Sequence, residues 1–271
     1  MVVTTDPAGR PPLDAARLAA ADPDLLPGLT VEVVDEAAST NALVLDRARS
    51  GAAEGLVVVA EHQTAGRGRL DRTWETPARS ALTFSLLLRP SAPLRSWPWL
   101  PLLAGYAVDK ALKAEGFEAS VKWPNDVLIG DRKVAGILLE QVETDAGPAA
   151  VVGVGLNVGM TAEELPVPEA TSLAVAGDVP DRTALLVSVL ASLWESYTAW
   201  QVGGDLAGMR LAESYAAACA TLGRQVRVDL PSGDVLTGTA TGIDPSGRLL
   251  VDHDGESTAV SAGDVVHVRS E

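Results

Sequence analysis

Apolar runs joined by very short polar turns constrain the fold of this chain more than any other feature. Gly130 and Asp131 separate the runs "VLI" and "RKVAGILLEQVE", and the turn "TDAGP" precedes "AAVVGVGLNVG". Such short connections join neighbouring antiparallel strands, because a parallel crossover needs about a dozen residues or more. We therefore predict successive β-hairpins, and with them a sheet that is mostly antiparallel.

Helices and further strands surround these hairpins. Helices are predicted at 39–51, 98–115, 181–200 and 205–221. Ser39 or Thr40 is the candidate N-cap of the first helix, and Gly51 follows its end. Buried strands are predicted for "GLVVVAEHQ" and "SALTFSLLLRP", which are almost entirely apolar. The fold class is therefore α+β, a mixed and mostly antiparallel sheet flanked by helices.

The texture of the sequence changes after Gly223. About five short apolar runs follow within ~50 residues, a spacing that is typical of a small β-barrel. The turns "PSGD" and "DPSG" separate some of these runs. We predict a flexible N-terminal lead over residues 1–28, a main domain over 29–221 and a small barrel domain over 222–271.

The composition argues against several classes of protein. The formal net charge is -15, whereas a protein that binds DNA or an anionic membrane needs a broad basic face. Cys219 is the single cysteine, so an internal disulfide and a cysteine-based zinc cluster are excluded. No apolar run approaches the roughly 18 residues of a membrane span, and the N-terminus lacks the pattern of a signal peptide. We expect a cytoplasmic protein.

Arginines and glycines alternate in "HQTAGRGRLDRTW", residues 62–74, which we call the arginine loop. Glycine lets the backbone approach a ligand closely, and the arginine fork matches the oxygens of a phosphate or carboxylate. Arg67, Arg69 and Arg72 would then form a cradle for a small anion. A solvated surface loop has a similar composition, so this segment alone leaves both interpretations open.

The segment "KWPND", Lys122 to Asp126, places two polar side chains where a strand ends. Asn125 and Asp126 follow a proline that breaks the strand, and ligands commonly bind at strand ends. The alternative is an ordinary turn, because Asn, Asp and Pro are all common turn residues.

Lys133 begins the apolar strand in "DRKVAGILLE". If Ala135, Ile137 and Leu139 share its face of the pleat, Lys133 lies at the rim of an apolar surface and can reach an anionic ligand. The alternative is a lysine whose stem packs on apolar surface while its ammonium group stays in water.

Other familiar site patterns are missing from the sequence. "GVGLNVG" has the spacing GxGxxxG and no clear helix after it, which excludes a Rossmann fingerprint. The three histidines have no metal-ligand spacing, and there is no GxSxG motif for a nucleophilic serine.

Taken together and in order, the segments resemble the motifs of the biotin protein ligases. The resemblance rests on "STN" at 39–41, "HQTAGRGR" at 62–69, "KWPND" at 122–126, "DRKVAGILLE" at 131–140 and "GVGLNV" at 153–158. It runs from about residue 30 to the end, since the small barrel is similar to the SH3-like domain of that family. The resemblance implies a class II synthetase-like catalytic domain followed by an SH3-like β-barrel.

The resemblance also implies an enzyme that works in two steps. Biotin and ATP first give biotinyl-5'-AMP and pyrophosphate. The biotinyl group then passes to a lysine on the biotin carboxyl carrier domain of acetyl-CoA carboxylase or a related carboxylase. ATP is the implied cosubstrate and Mg²⁺ the implied metal, with no permanently bound cofactor.

Roles for single residues follow from the same resemblance. The residues that match the biotin site are Ser39, Thr40, Asn41 and Gln63. The residues that match the loop closing over biotin and the adenylate are Arg67, Gly68 and Arg69. Lys133 matches the lysine that reaches the biotin carboxylate and the α-phosphate, and with Arg67 and Arg69 it is an expected catalytic residue. The residues that match the nucleotide side are Trp74, Asn125, Asp126, Asn157 and Arg269, with Asp126 as the metal ligand.

The chain departs from the family pattern in two places. Many members have Arg-Gly where this chain has Leu70 and Asp71, which bears on the flexibility of the arginine loop. The repressor members carry an N-terminal DNA-binding domain, but only about 30 residues precede the catalytic region here. We therefore expect no operator binding.

Two rival functions remain open at this point. Lipoate ligases resemble the same catalytic fold, although the arginine loop together with "KWPND" argues against lipoate. A non-catalytic protein that captures biotin or a nucleotide for regulation is the second alternative. The sequence also leaves open whether the chain forms a homodimer.

Overall fold

The computed structural model of the protein describes residues 9–21, 24–202 and 204–268. Two sheets organise this part of the chain. The larger contains β1 (Thr30–Ala37), β2 (Leu56–Gln63), β3 (Ala81–Leu88), β4 (Ala119–Lys122), β5 (Asp126–Ile129), β6 (Arg132–Thr144) and β7 (Gly147–Asn157). Its strand order is β1-β2-β3-β7-β6-β5-β4, with β1 and β2 parallel and the other neighbours antiparallel. The predicted α+β class and mixed, mostly antiparallel sheet are confirmed.

Helices cover both faces of this sheet. They are α1 (Ala15–Ala19), α2 (Thr40–Arg49), α3 (Trp99–Ala114), α4 (Leu173–Ala176), α5 (Arg182–Val202) and α6 (Gly204–Ala218), with short 3-10 turns at Leu94–Ser96 and Ala162–Glu164. The helices α3 and α5 pack with the core on one face, whereas α2 packs Val44 and Ala48 against Val58 and Val151 on the other. None of the helices in the described part of the chain has both the length and the apolar character that a membrane span requires.

The second sheet lies at the C-terminal end of the described chain. It contains β8 (Gln225–Asp229), β9 (Val235–Ile243), β10 (Leu249–His253), β11 (Glu256–Val260) and β12 (Asp264–His267). The strands pair antiparallel in the order β11-β10-β9-β8-β12. Two buried indoles tie this sheet to the main domain, because Trp123 and Trp99 donate hydrogen bonds to Gly247 O (3.0 Å) and Pro245 O (2.8 Å).

The segment predicted as a flexible lead contains structure that the sequence analysis missed. Helix α1 begins after Asp14, whose carboxylate accepts from Arg17 N, and Leu13 and Leu18 are buried in the main core. Strand β1, at the edge of the large sheet, was also missed. The prediction of a domain division at residues 28 and 222 stays a prediction.

Candidate functional site

One cavity of about 720 Å³ opens on the face of the large sheet that carries α2. It is lined by twelve of the thirteen predicted site residues: Ser39, Thr40, Asn41, Gln63, Arg67, Gly68, Arg69, Trp74, Asn125, Asp126, Lys133 and Asn157. Arg269, the thirteenth, lies outside the described residues. Segments that are distant in the sequence thus meet around one space.

The start of α2 forms a polar corner of the cavity with the end of β2. Ser39 is the N-cap of α2, as predicted, but its side chain makes no capping hydrogen bond. At this end of the helix, Gln63 Oε1 instead accepts hydrogen bonds from Thr40 N (2.8 Å) and from Thr40 Oγ1 (3.0 Å). All three side chains are buried, and all three line the cavity.

Asn41 continues this corner through a network that includes Glu140, which the sequence analysis did not assign to the site. Asn41 Oδ1 accepts from Ser85 Oγ (2.5 Å), and Asn41 Nδ2 donates to Glu140 Oε2 (2.8 Å). The same carboxylate oxygen accepts from Arg67 Nη2 (2.9 Å). Glu140 ends the motif "DRKVAGILLE", but only the fold brings it to Asn41 and Arg67.

The arginine loop turns back on itself through a tight hairpin. Trp74 N donates to Gly66 O (2.9 Å) and Gly68 N to Arg72 O (2.6 Å). At the tip, Arg72 N donates to Arg69 O (3.2 Å), while Leu70 and Asp71 have φ angles of 54° and 57°. Two positive φ values in the centre of a turn define the type I′ class, which favours Asn-Gly or Asp-Gly. Leu-Asp therefore strains this tip.

Arg69 is anchored to two parts of the molecule. Its Nη1 donates to Asn125 Oδ1 (3.0 Å), in the turn between β4 and β5, and its Nη2 donates to Gly263 O (3.3 Å), just before β12. Asn125 Nδ2 in turn donates to Ile137 O (2.9 Å), which fixes its amide. Burial lowers the pKa of the Arg69 guanidinium, while the charges of Asp126 and Asp264 act in the opposite direction. The group stays a cation, because an arginine does not deprotonate in proteins.

A β-bulge decides which way Lys133 points. Val127 and Leu128 on β5 oppose Ala135 and Lys133 on β6, so Val134 is an extra residue between them. Such an extra residue shifts the alternation of side chains by one position. The condition that Lys133 shares a face with Ala135, Ile137 and Leu139 is therefore not met: the Ile137 side chain lies near Gly105 of α3, whereas the Lys133 side chain lies over Gly136, on the side of Trp74.

Lys133 lies between an acid and an aromatic ring. Its Nζ is 2.6 Å from Asp126 Oδ1, which is an ion-pair distance, but the angles are not those of a hydrogen bond. The same Nζ is 5.7 Å from the centre of the Trp74 ring. The Lys133 side chain is 35% exposed and that of Asp126 19%, so the pair borders the cavity and remains accessible to a ligand.

Two glycines of β7 explain why "GVGLN" belongs to this site although it binds no dinucleotide in the Rossmann manner. A Cβ atom on Gly155 would lie 2.4 Å from the Trp74 ring, and one on Gly153 would lie 2.2 Å from Asn41 Oδ1. Both side chains thus lie directly on the strand. The buried Trp74 Nε1 finds no hydrogen-bond partner among the described residues, which leaves a donor for a ligand.

The remaining predicted residue, Asn157, lies at the end of β7. It is buried, and its Nδ2 donates to Thr171 O (2.9 Å), so it joins the cavity wall to the segment before α4. The C-terminal sheet contributes Asp264, which pairs with Arg72 of the arginine loop. The sequence contained no signal for that contact between domains.

Comparison with known proteins identifies the family. Residues 33–157 match the Biotin/lipoate A/B protein ligase family, and residues 221–268 match the Biotin protein ligase C terminal domain. The biotin–[acetyl-CoA-carboxylase] ligase of Mycobacterium tuberculosis is 42% identical over 272 residues, which cover 96% of this chain and 97% of that protein. The chain belongs to the biotin protein ligase family.

Other members of the family support the same assignment. The bifunctional ligase/repressor of Bacillus subtilis is 36% identical over 238 residues, which cover 83% of this chain and 72% of that protein. A solved structure of the biotin protein ligase from Aquifex aeolicus in complex with biotin and ATP superimposes with a TM-score of 0.74 at 28% identity, covering 89% of this chain and 99% of that one. The Mycobacterium tuberculosis and Aquifex aeolicus proteins are both named as biotin ligases.

Proposed function

We propose that this biotin ligase uses ATP to form biotinyl-5'-AMP and then transfers the biotinyl group to a lysine of a biotin carboxyl carrier domain. The observation that carries the proposal is the meeting of the biotin-side and nucleotide-side motifs around one cavity of about 720 Å³. That volume is in the usual range of about 300–1,000 Å³ for small-ligand pockets. The Aquifex aeolicus relative, whose structure contains both biotin and ATP, supports it further.

In the proposed arrangement, biotin lies at the polar corner beside α2. Thr40, Asn41 and Gln63 supply donors and acceptors for the ureido ring, while Val154 and Leu138 supply apolar surface. A small number of fixed polar groups in a largely apolar pocket is the usual design for a compact, uncharged ring system.

The nucleotide lies on the other side of Lys133. Trp74 offers a ring face and an unpaired indole N–H, and Asn125 and Asn157 offer amides near the same wall. These groups suit an adenine ring and a ribose, which need stacking and a few directed hydrogen bonds.

The first step joins two anions, so repulsion is its main obstacle. A biotin carboxylate oxygen bonds to the α-phosphorus of ATP, the bond from that phosphorus to the bridging oxygen breaks, and pyrophosphate leaves. Arg67, Arg69 and Lys133 stabilise the charge that develops, and one such preorganised donor is typically worth about 3–4 kcal/mol. No covalent enzyme intermediate is needed.

In the second step, the amine of the acceptor lysine attacks the carbonyl carbon of the mixed anhydride. The amide bond forms, AMP leaves with the phosphate oxygen, and the amine loses a proton. The task of this chain is to hold the anhydride away from water until the acceptor arrives. The arginine loop, which borders the cavity from Arg67 to Trp74, is placed to do so.

Mg²⁺ would be held at Asp126. The described residues contain no cluster of three or more His, Cys, Asp or Glu side chains that could hold a metal by themselves. This fits Mg²⁺, which is commonly held by one or two carboxylates together with substrate phosphates. When bound, the ion would neutralise phosphate charge, and Asp126 would exchange its contact with Lys133 for the metal.

The acceptor is the carrier domain of a carboxylase. The Mycobacterium tuberculosis relative is named for acetyl-CoA carboxylase, and it aligns with nearly the whole of this chain.

Pyrophosphate exchange decides between biotin and lipoate. The purified protein, MgATP and labelled pyrophosphate are incubated with either acid, and label in ATP is counted. We expect exchange with biotin and none above background with lipoate, because only the first acid supplies a ureido ring to the polar corner. Exchange with lipoate alone would refute the proposal, and the Lys110→Ala variant, altered on the outer surface of α3, should behave like the parent.

A further inference from the structure

Glu140 joins two groups that belong to different elements. Its Oε2 accepts from Asn41 Nδ2, on α2, and from Arg67 Nη2, in the arginine loop. The Glu140 side chain is 24% exposed and that of Arg67 47%, while Asn41 is buried. The carboxylate therefore lies at the boundary between the buried corner and the more exposed edge of the cavity, without lining the cavity itself.

The contacts of Asn41 depend on the charge of Glu140. An ionised carboxylate only accepts hydrogen bonds, so it requires the NH₂ group of the amide to face it. Ser85 donates to the amide oxygen from the opposite direction, at 2.5 Å. Together with Leu138 O, which accepts from Asn41 Nδ2 at a longer 3.4 Å, these two partners select one of the two orientations of the amide. Gly153 leaves no room for Asn41 to move toward β7.

The contact with Arg67 restricts a long and half-exposed side chain. A charge-assisted hydrogen bond is roughly twice as strong as a neutral one, so a carboxylate holds a guanidinium better than an amide would. Glu140 also holds Arg67 near Asn41 before biotin binds. The Arg67 side chain therefore loses less conformational entropy when biotin binds.

We propose that Glu140 is a positioning residue of the biotin site: it orients the amide of Asn41 and holds Arg67 over the bound ring. This inference rests on the proposed function, since it assigns the polar corner to biotin. Glu140 touches neither substrate nor the reacting atoms. Its loss should therefore weaken biotin binding while leaving the ATP side of the cavity unchanged.

Biotin titration by calorimetry tests this without any need for catalysis. Full-length Glu140→Gln, which keeps the shape and removes the charge, should bind biotin about tenfold more weakly than the parent. Glu143→Gln, an exposed position on the same strand, is the matched control and should bind like the parent. A parent protein that binds no biotin would refute the proposed function itself, whereas equal binding by parent and Glu140→Gln would refute only the role of Glu140.

Two further measurements separate positioning from general stabilisation. In steady-state kinetics Glu140→Gln should raise the KM for biotin while the KM for ATP changes less than about twofold. An equal rise in both would overturn the inference.

The double variant Glu140→Gln/Arg67→Ala provides the second measurement. Its loss of biotin affinity should be smaller than the sum of the losses in the two single variants, because both substitutions remove the same contact. Additive effects would contradict it. Should Glu140→Gln fail to fold, Glu140→Asp keeps the charge with a shorter reach and should still weaken biotin binding selectively.

Discussion

Each cation that borders the cavity is held by an oxygen of the protein. Lys133 pairs with Asp126, Arg67 with Glu140, Arg69 with the amide oxygen of Asn125, and Arg72 with Asp264. The cations are thus positioned before a ligand arrives. The oxygens of an incoming carboxylate or phosphate can take the place of these protein oxygens or bind beside them. Preorganisation of this kind is the main source of electrostatic catalysis, because charges that are already oriented need no rearrangement during the reaction.

Substitution of Lys133 tests this at the residue scale. We expect Lys133→Ala to slow adenylate formation by about 100-fold or more, since a fixed cation at the developing charge is lost. Single-turnover formation of biotinyl-5'-AMP is the measurement. Melting temperature should change little, because the side chain is partly exposed, and adenylate formation at the parental rate would show that Lys133 has another role.

At this scale the sequence predicted which residues lie around the cavity better than how they are oriented. The motifs pointed to Lys133, Asn125 and Asp126, and the cavity contains all three. A regular alternation along β6 would place Lys133 on the face of Ala135 and Ile137, because no pattern in "RKVAG" reveals the bulge at Val134. Bulges depend on pairing with a second strand, which a linear pattern does not contain.

The arginine loop shows how one element combines strain with function. Its tip places Leu70 and Asp71 in the left-handed region, which costs residues with a Cβ atom about 1 kcal/mol or more each. The hairpin between β10 and β11 makes the same reversal with Asp254 and Gly255, a pair suited to it. The strained tip therefore lowers the free energy needed to open the loop.

Relief of that strain should make the loop open less often. We expect the double variant Leu70→Asn/Asp71→Gly to slow tryptic cleavage after Arg67 by about fivefold, because a change of roughly 1 kcal/mol shifts the opening equilibrium by that factor. Arg67 is the site to follow, since its immediate neighbours are unchanged. Asp254→Asn in the other hairpin is the control and should leave this cleavage rate unaltered; an equal or faster cut in the double variant would contradict the account of the loop.

Most elements were predictable from the sequence because their patterns are local. Helix α2 was expected at 39–51 and spans Thr40–Arg49, and the predicted hairpin at Gly130 joins β5 and β6. Helix α1 and strand β1 were missed. The first has only five residues, and the second is an edge strand with mixed exposure, so neither shows a clear periodicity.

At the scale of the whole molecule, the C-terminal sheet completes the site. Gly263 O accepts from Arg69, and Asp264 pairs with Arg72, so the arginine loop lies between the two domains. Sequence patterns predicted a small barrel but did not predict that it contacts the arginine loop. Contacts between residues about 190 positions apart leave no local signal in the sequence. The structure makes this sheet one wall of the cavity through Asp264.

The acidic composition acts on the same scale. With a net charge of -15, the chain as a whole repels polyanions such as nucleic acids, while four of its basic side chains, Arg67, Arg69, Arg72 and Lys133, line the cavity. The expected absence of operator binding stays a prediction.

Transfer of biotin to a carrier domain tests the central claim most directly. The purified protein is incubated with biotin, MgATP and a carboxylase carrier domain, and the carrier is detected with streptavidin. The account predicts labelling that depends on ATP, disappears when the acceptor lysine is replaced, and is nearly lost in Lys133→Ala but kept in Lys110→Ala. An unlabelled carrier, under conditions in which calorimetry shows biotin bound, would contradict ligation and favour a binding protein.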